Sequence, residues 1–122
     1  MQIQAVTLIV DDLPSSRSFY EAVFDLPVHF ADDESVVFDF HGVLVNLLAA
    51  PAAPELIDPV PLAPATAGVR MQLTVPVDDV DTAAARITAL GIDLVRGPET
   101  RPWGVRTASF RDPSGHLWEL AH

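Results

Sequence analysis

The chain has no cysteine and no lysine among its 122 residues, and both absences exclude whole classes of chemistry. Without cysteine there is no disulfide, no thiolate nucleophile and no zinc–cysteine site. Without lysine there is no Schiff-base lysine and no Walker-type phosphate-binding lysine. Positive charge is scarce altogether, because 7 basic residues face 17 acidic ones and the formal net charge is −10. Such a charge repels phosphate backbones, so we expect neither a nucleic-acid nor a membrane partner.

Long apolar runs are also missing. The first apolar run, residues 5–10, is interrupted by Thr7 and is far too short to cross a bilayer. The N-terminal residues 1–4 lack the cationic start of a secretory signal. Hydrophobic residues make up 49% of the chain and charged residues 20%, which excludes wholesale disorder. We therefore expect a cytoplasmic globular protein.

Two similar halves flank a proline-rich stretch. Strand patterns at residues 6–10 and 71–75 each run into an Asp-Asp pair that can cap a following helix. Three further strand patterns follow each helix, so each half predicts the order strand–helix–strand–strand–strand. Because proline fixes φ and donates no hydrogen bond, the stretch between the halves predicts an extended linker. We predict one domain of residues 1–122, with a first module over 3–49, a linker over 50–67 and a second module over 68–122.

This pattern predicts an α+β fold. Neither module could bury its own sheet face, so we expect two βαβββ repeats with mixed sheets curled around a cleft. Each predicted helix has an apolar face that should pack on its sheet: Phe19, Tyr20, Val23 and Phe24 in the first half, and Val80, Ala84, Ile87 and Leu90 in the second. Trp118 is predicted to lie in the core, on the side of its sheet that faces the helix.

Three motifs carry a resemblance to a known family. They are VDDL at residues 10–13 running into SFY at 18–20, PWGVR at 102–106, and above all FRDPSGHLWEL at 110–120. Together they resemble the vicinal oxygen chelate superfamily, which includes glyoxalase I, bleomycin-resistance proteins and extradiol dioxygenases. The resemblance covers nearly the whole chain and implies the βαβββ fold and a homodimer. It does not specify the reaction, because one fold hosts many chemistries.

The resemblance also implies a place for a divalent metal ion. Metal-dependent members use four side chains, two from each half, and the positions matched here are Ala5, Asn46, Arg70 and Glu119. Ala5 has no donor atom and Arg70 cannot ligate a cation. We therefore expect no metal and no cofactor. The four histidines are predicted to be surface or turn residues rather than ligands, and they are His29, His41, His116 and His122.

Arg70 and Glu119 suggest another use of the same place. Strand alternation puts Arg70 and Gln72 on one face, which should line the cleft. Arg70 could replace the metal by neutralising Glu119, or it could recognise an anionic ligand group. A third interpretation is a partly solvated salt bridge worth less than about 1 kcal/mol.

Trp103 is the next candidate, because a polar loop is an unusual place for a core tryptophan. In drug-sequestering relatives, aromatic side chains at the cleft help to hold a planar ligand, and the resemblance extends that role to Trp103. Packing against the core or in a dimer contact would explain it equally well. The Arg106 side chain could reach the same opening of the cleft. The predicted ligand-binding residues are Arg70, Gln72, Trp103, Asn46, Glu119 and Arg106, and Glu119 is also the candidate general base.

These features favour a metal-independent binding protein of the bleomycin-resistance type, holding a small organic molecule and sequestering a drug or metabolite. The first alternative is a glyoxalase- or dioxygenase-like lyase or oxidoreductase with an altered site. A second is a scaffold that acts only through protein contacts. Metal content separates the first two, because only the enzyme is expected to hold stoichiometric metal.

Overall fold

Two βαβββ repeats follow each other along the chain, in a computed structural model that describes residues 1–122. The chain divides into unit 1 (Met1–Ala67) and unit 2 (Gly68–His122). Unit 1 contains β1 (Ala5–Val10), α1 (Leu13–Phe24), β2 (Val28–Ala31), β3 (Ser35–Phe40), β4 (Val43–Ala49) and α2 (Pro54–Ile57). Unit 2 contains β5 (Gln72–Pro76), α3 (Val80–Ala89), β6 (Leu94–Thr100), β7 (Arg106–Arg111) and β8 (Leu117–Ala121). This order confirms the predicted α+β fold.

Each unit has one four-stranded mixed sheet. The strand orders are β1-β4-β3-β2 and β5-β8-β7-β6. The first and last strands of each unit pair in parallel, β1 with β4 and β5 with β8, whereas the other pairs are antiparallel. The first strand of each unit thus lies beside the last, and the long connection that a parallel pair requires contains the helix.

The Asp-Asp pairs cap the two longer helices as predicted. Asp12 accepts a hydrogen bond from Ser15 N at 2.9 Å, and Asp79 accepts one from Thr82 Oγ1 at 2.5 Å. In both pairs the second aspartate is the N-cap, which satisfies a backbone or side-chain donor in the first helical turn.

Both helices bury an apolar face against their own sheet. In unit 1 the buried Tyr20 stacks on Phe38 with ring centroids 6.0 Å apart. In unit 2 the centre is formed by Trp118, Phe110 and Ile87, each at most 2% exposed. Trp118 is therefore core, as predicted. Leu90, at 46% exposed, lies beyond α3 and does not extend its buried stripe.

Two predictions about local structure were wrong. The stretch predicted as an extended linker contains a turn of 3-10 helix at residues 50–52 followed by α2. Pro51 and Pro54 occupy the first turns of these two helices, where a missing N–H costs no hydrogen bond. β6 runs on to Thr100 and so includes the first two residues of the polar loop predicted around Trp103, residues 99–104. Register shifts beside Arg96 let the strand continue past Gly97 and Pro98.

No helix in the structure combines the length and the apolar character that a membrane crossing requires.

Candidate functional site

A polar pair occupies the same place in both parallel strand pairs. Thr7 lies opposite Asn46, whose Nδ2 donates to Thr7 Oγ1 at 3.5 Å. Thr74 lies opposite Glu119, and Thr74 Oγ1 donates to Glu119 Oε1 at 3.0 Å. The repeat therefore places a threonine beside each candidate polar residue of the last strands. Neither threonine was among the predicted site residues, although Thr74 follows the predicted Gln72 by two positions.

Unit 2 carries a continuous polar face on the side of its sheet away from Trp118. Glu119 is paired with Thr74 on one side and with the buried Ser109 on the other. Since alternate residues of a strand share a face, Gln72 lies on this face two residues before Thr74. Gln72 and Thr74 are exposed and Glu119 is half-buried. This arrangement brings two predicted residues, Gln72 and Glu119, to one sheet face.

The predicted strand position of Arg70 was wrong. β5 begins at Gln72, and Arg70 precedes it as an exposed residue in a bend. No ion pair joins Arg70 to Glu119, whose side-chain hydrogen bond comes from Thr74 instead. The offset that relates Thr7 to Thr74 relates Ala5 to Gln72, so Gln72 is the repeat equivalent of Ala5. Counting back from the two Asp-Asp pairs gives the same equivalence.

The donor set does not fit the divalent metal ion that the resemblance implies. No group of three or more histidine, cysteine, aspartate or glutamate side chains is placed to hold a metal ion. With the corrected register, the four matched positions are Ala5, Asn46, Gln72 and Glu119. Only Glu119 supplies a charged oxygen, whereas Ala5 supplies no donor and the two amides are neutral.

The histidines lie elsewhere in the fold. His116 precedes β8, and its Nδ1 lies 2.8 Å from Asp112 Oδ2. Asp112 Oδ1 also accepts the backbone N–H of Ser114 and His116, so this aspartate holds the turn together. His29 and His41 are exposed, His41 in a turn at φ 54°. The Nδ1 of His122 accepts the backbone N–H of Val80 at 2.9 Å.

Trp103 is held in a tight turn between β6 and β7. Backbone hydrogen bonds join Arg101 N to Val105 O at 2.8 Å and Gly104 N to Arg101 O at 2.9 Å. The Trp103 side chain is 71% exposed, with its ring 6.0 Å from Arg101 Cζ. Core packing within its own chain, one of the alternatives considered above, is therefore excluded for Trp103.

Arg106 lies on the helix side of the sheet, so the prediction that it reaches the ligand site was wrong. Its guanidinium binds Asp81 of α3 through two hydrogen bonds, Nε to Oδ2 at 2.6 Å and Nη2 to Oδ1 at 2.7 Å. Its Nη1 donates to Thr100 Oγ1 at 3.1 Å. These bonds lower the pKa of Asp81 below its ordinary value of 3.8, chiefly through the Arg106 hydrogen bond, and raise the pKa of Arg106.

This ion pair predicts a pH-dependent contribution to stability. Because the folded-state pKa of Asp81 is depressed, its contribution is present above the unfolded pKa near 4 and is lost as pH falls through the lower folded value. Asp81→Asn should therefore lower Tm at pH 6, and the difference from the wild type should shrink below about pH 4. Asp93→Asn, an exposed carboxylate in no ion pair, is the control and should show no such trend in thermal melts. A Tm difference for Asp81→Asn that stays constant from pH 3 to 7 would contradict the assignment.

The family follows from comparison with known proteins. A family model described as the Glyoxalase/Bleomycin resistance protein/Dioxygenase superfamily matches residues 2–120. The chain belongs to this superfamily. This match confirms the resemblance that the three sequence motifs indicated.

Individual relatives of the superfamily match over nearly the whole chain. An uncharacterized protein, YraH of Bacillus subtilis, is 27% identical over 124 residues, which cover 98% of this chain and 97% of that protein. A glyoxalase/bleomycin resistance protein/dioxygenase from Nocardioides is 28% identical with a TM-score of 0.85, over 99% of this chain and 82% of that one. A lactoylglutathione lyase from Agrobacterium tumefaciens is 26% identical with a TM-score of 0.77, over 98% and 92%.

Proposed function

We propose that this superfamily member binds a small organic molecule on the polar face of the unit 2 sheet, without a resident divalent metal ion. Such a protein sequesters a drug or metabolite, as bleomycin-resistance proteins do. The observation that carries the proposal is the donor set, because Ala5 and the two amides leave Glu119 as the one charged ligand among the four matched positions. A lone carboxylate with neutral amides is a weak site for a transition-metal ion.

The polar face has the features of a ligand-recognition surface. Ligand sites combine apolar contact with a few fixed polar groups that set orientation. Thr74 holds the Glu119 carboxylate from one side, and the Gln72 amide offers both a donor and an acceptor nearby. In unit 1, Asn46 Oδ1 is buried and has no hydrogen-bond partner within the chain. A buried acceptor without a partner is costly, so a donor brought to Asn46 from outside the chain would stabilise unit 1.

A thermal-shift screen of chelator-treated protein tests the proposal. Organic compounds should raise Tm in the absence of metal, and a ligand at 100 times its Kd should stabilise the fold by about 2.7 kcal/mol. Glu119→Gln keeps the size of the side chain but removes its charge, so it should weaken binding of the best compound roughly tenfold or more. Titrating Mn²⁺, Ni²⁺ or Zn²⁺ into the same protein should leave Tm unchanged.

A matched variant separates the site from a general effect of charge. Glu55→Gln removes an exposed carboxylate of α2 and should leave binding of the compound unchanged. Stoichiometric binding of a divalent ion that Glu119→Gln abolishes would refute the metal-free proposal. Failure of every organic compound to shift Tm would refute small-molecule binding.

An enzyme of the same superfamily is the second candidate, supported by the similarity to a lactoylglutathione lyase. It requires a metal at Glu119 or acid–base chemistry by Glu119 alone. The metal titration tests the metal-dependent enzyme. If Glu119 alone acts as the acid or base, Glu119→Gln should abolish turnover while leaving substrate binding measurable.

The proposal retains Arg70 and Trp103 as ligand contacts and leaves Arg106 out, because Arg106 is engaged by Asp81. The homodimer remains a prediction. Exposed apolar side chains, including Phe30 at 53% and Met71 at 55%, provide surface that self-association would cover.

A further inference from the structure

Two arginine side chains at the edge strand of unit 2 share a single carboxylate. Arg96 Nε and Arg101 Nη1 both contact Glu99 Oε1, the latter at 3.2 Å. Glu99 Oε1 is buried, and both guanidinium groups form ion pairs with it. The three side chains therefore carry one unneutralised positive charge, in a chain whose formal net charge is −10.

Arg101 is held in place before any ligand binds. Its Nε donates to Oγ1 of the buried Thr107 at 3.0 Å, and its side chain is only 17% exposed. Its Nη1 is in the ion pair with Glu99, which leaves the N–H groups of Nη2 as the donors without a partner. A fixed guanidinium with free donors is suited to a carboxylate, whose two oxygens match the planar fork. Because Arg101 is already ordered, binding costs little side-chain entropy.

Trp103 adds an apolar surface beside this fork. Its indole ring lies 6.0 Å from Arg101 Cζ and is largely exposed. A planar ring stacked on the indole would therefore be placed within reach of the guanidinium. Turn hydrogen bonds from Arg101 and Gly104 fix the spacing between these two groups.

We propose that Arg101 and Trp103 form a subsite for the carboxylate group of a planar aromatic ligand, with Arg96 supplying further positive charge. The subsite names the chemical class of the ligand and rests on the proposed small-molecule function. Glu99 neutralises part of the charge and positions both guanidinium groups.

Calorimetric titration with 2-naphthoate and 2-naphthamide tests this subsite, because the two probes share a ring system and differ in charge. Naphthoate should bind at least about tenfold more tightly than the amide, as expected for a charge-assisted hydrogen bond. Arg101→Gln should remove that preference. Trp103→Ala should weaken both probes by about fivefold or more while keeping the preference. Arg86→Gln, which removes an exposed arginine from α3, should change neither affinity.

Several results would overturn the subsite while leaving the proposed function standing. Equal affinity for the two probes would overturn it. A preference for naphthoate that survives Arg101→Gln would also overturn it, and so would the absence of naphthoate binding below about 1 mM. Binding of other organic compounds in a Glu119-dependent manner would still support the proposed function. If circular dichroism shows that Arg101→Gln is unfolded, Arg101→Lys replaces it. Arg101→Lys keeps the charge but loses the fork, and should also weaken naphthoate binding.

Discussion

Gly97→Ala should lower the free energy of unfolding by about 2–4 kcal/mol, because the added methyl group would clash with the neighbouring strand. A Cβ at position 97 would lie 2.4 Å from the Thr107 carbonyl oxygen and 2.9 Å from Ala108 Cα. Both atoms belong to the backbone of β7, so no side-chain rotation relieves the clash. Gly97 also has φ +87°, which adds the cost of a positive φ for alanine. Chemical denaturation with urea measures the loss.

Gly91→Ala is a matched control for this prediction. Gly91 lies in the same unit and has nearly the same φ, +85°, but nothing lies within 4 Å of an added Cβ. Its substitution should cost about 1 kcal/mol, from the positive φ alone. The difference between the two variants therefore isolates the close approach of β6 to β7. Equal losses for the two variants would contradict the close packing at Gly97.

The close approach of β6 to β7 at Gly97 also holds Glu99 and Arg101 in position. Glu99 lies opposite Thr107 in the sheet, two residues after Gly97. If β6 moved away from β7, Glu99 and Arg101 would lose their positions beside Thr107. Gly97→Ala should therefore also weaken naphthoate binding in whatever fraction of the protein remains folded.

The fold could be predicted because local signals repeat in both halves. The Asp-Asp pairs, the apolar helix faces and the strand patterns agree with each other, and Asp12 and Asp79 are the caps that this agreement predicts. Strand β3 (Ser35–Phe40) is an example, because it is one of the three strand patterns that follow the first predicted helix. Period-2 patterns with clear turns leave few alternatives for such a hairpin.

The candidate site was harder to predict, because register within a repeat decides which side chains meet. Arg70 was matched to the metal position on the first strand of the second half, whereas the repeat places Gln72 there. One comparison of the two Asp-Asp pairs would have corrected this. Arg106 could not be assigned in the same way, because its partner Asp81 lies on a helix whose rotation over the sheet depends on tertiary packing. Arg101 was not among the predicted site residues, because the stretch around it was predicted as a polar loop, whereas β6 runs up to Thr100 directly before it.

The two tryptophans of unit 2 should respond very differently to truncation. Trp118 is 2% exposed and lies among the buried side chains of the sheet and α3, whereas Trp103 is 71% exposed. Trp118→Ala should lower the free energy of unfolding by about 3–5 kcal/mol, because a large cavity replaces the indole. Trp103→Ala should cost less than about 1 kcal/mol, since it removes only a contact with Arg101. Urea denaturation of both variants measures the difference.

The Trp103 result also bears on what covers its indole. If Trp103→Ala lost as much stability as Trp118→Ala, the indole would have to be buried by another copy of the chain, and the loss would then depend on protein concentration. If Trp118→Ala fails to fold, Trp118→Phe supplies the comparison with a smaller cavity and should still cost more than Trp103→Ala. A small, concentration-independent loss for Trp103→Ala leaves the indole free to bind a ligand. Any loss of naphthoate affinity in that variant then reflects the missing ring rather than a damaged fold.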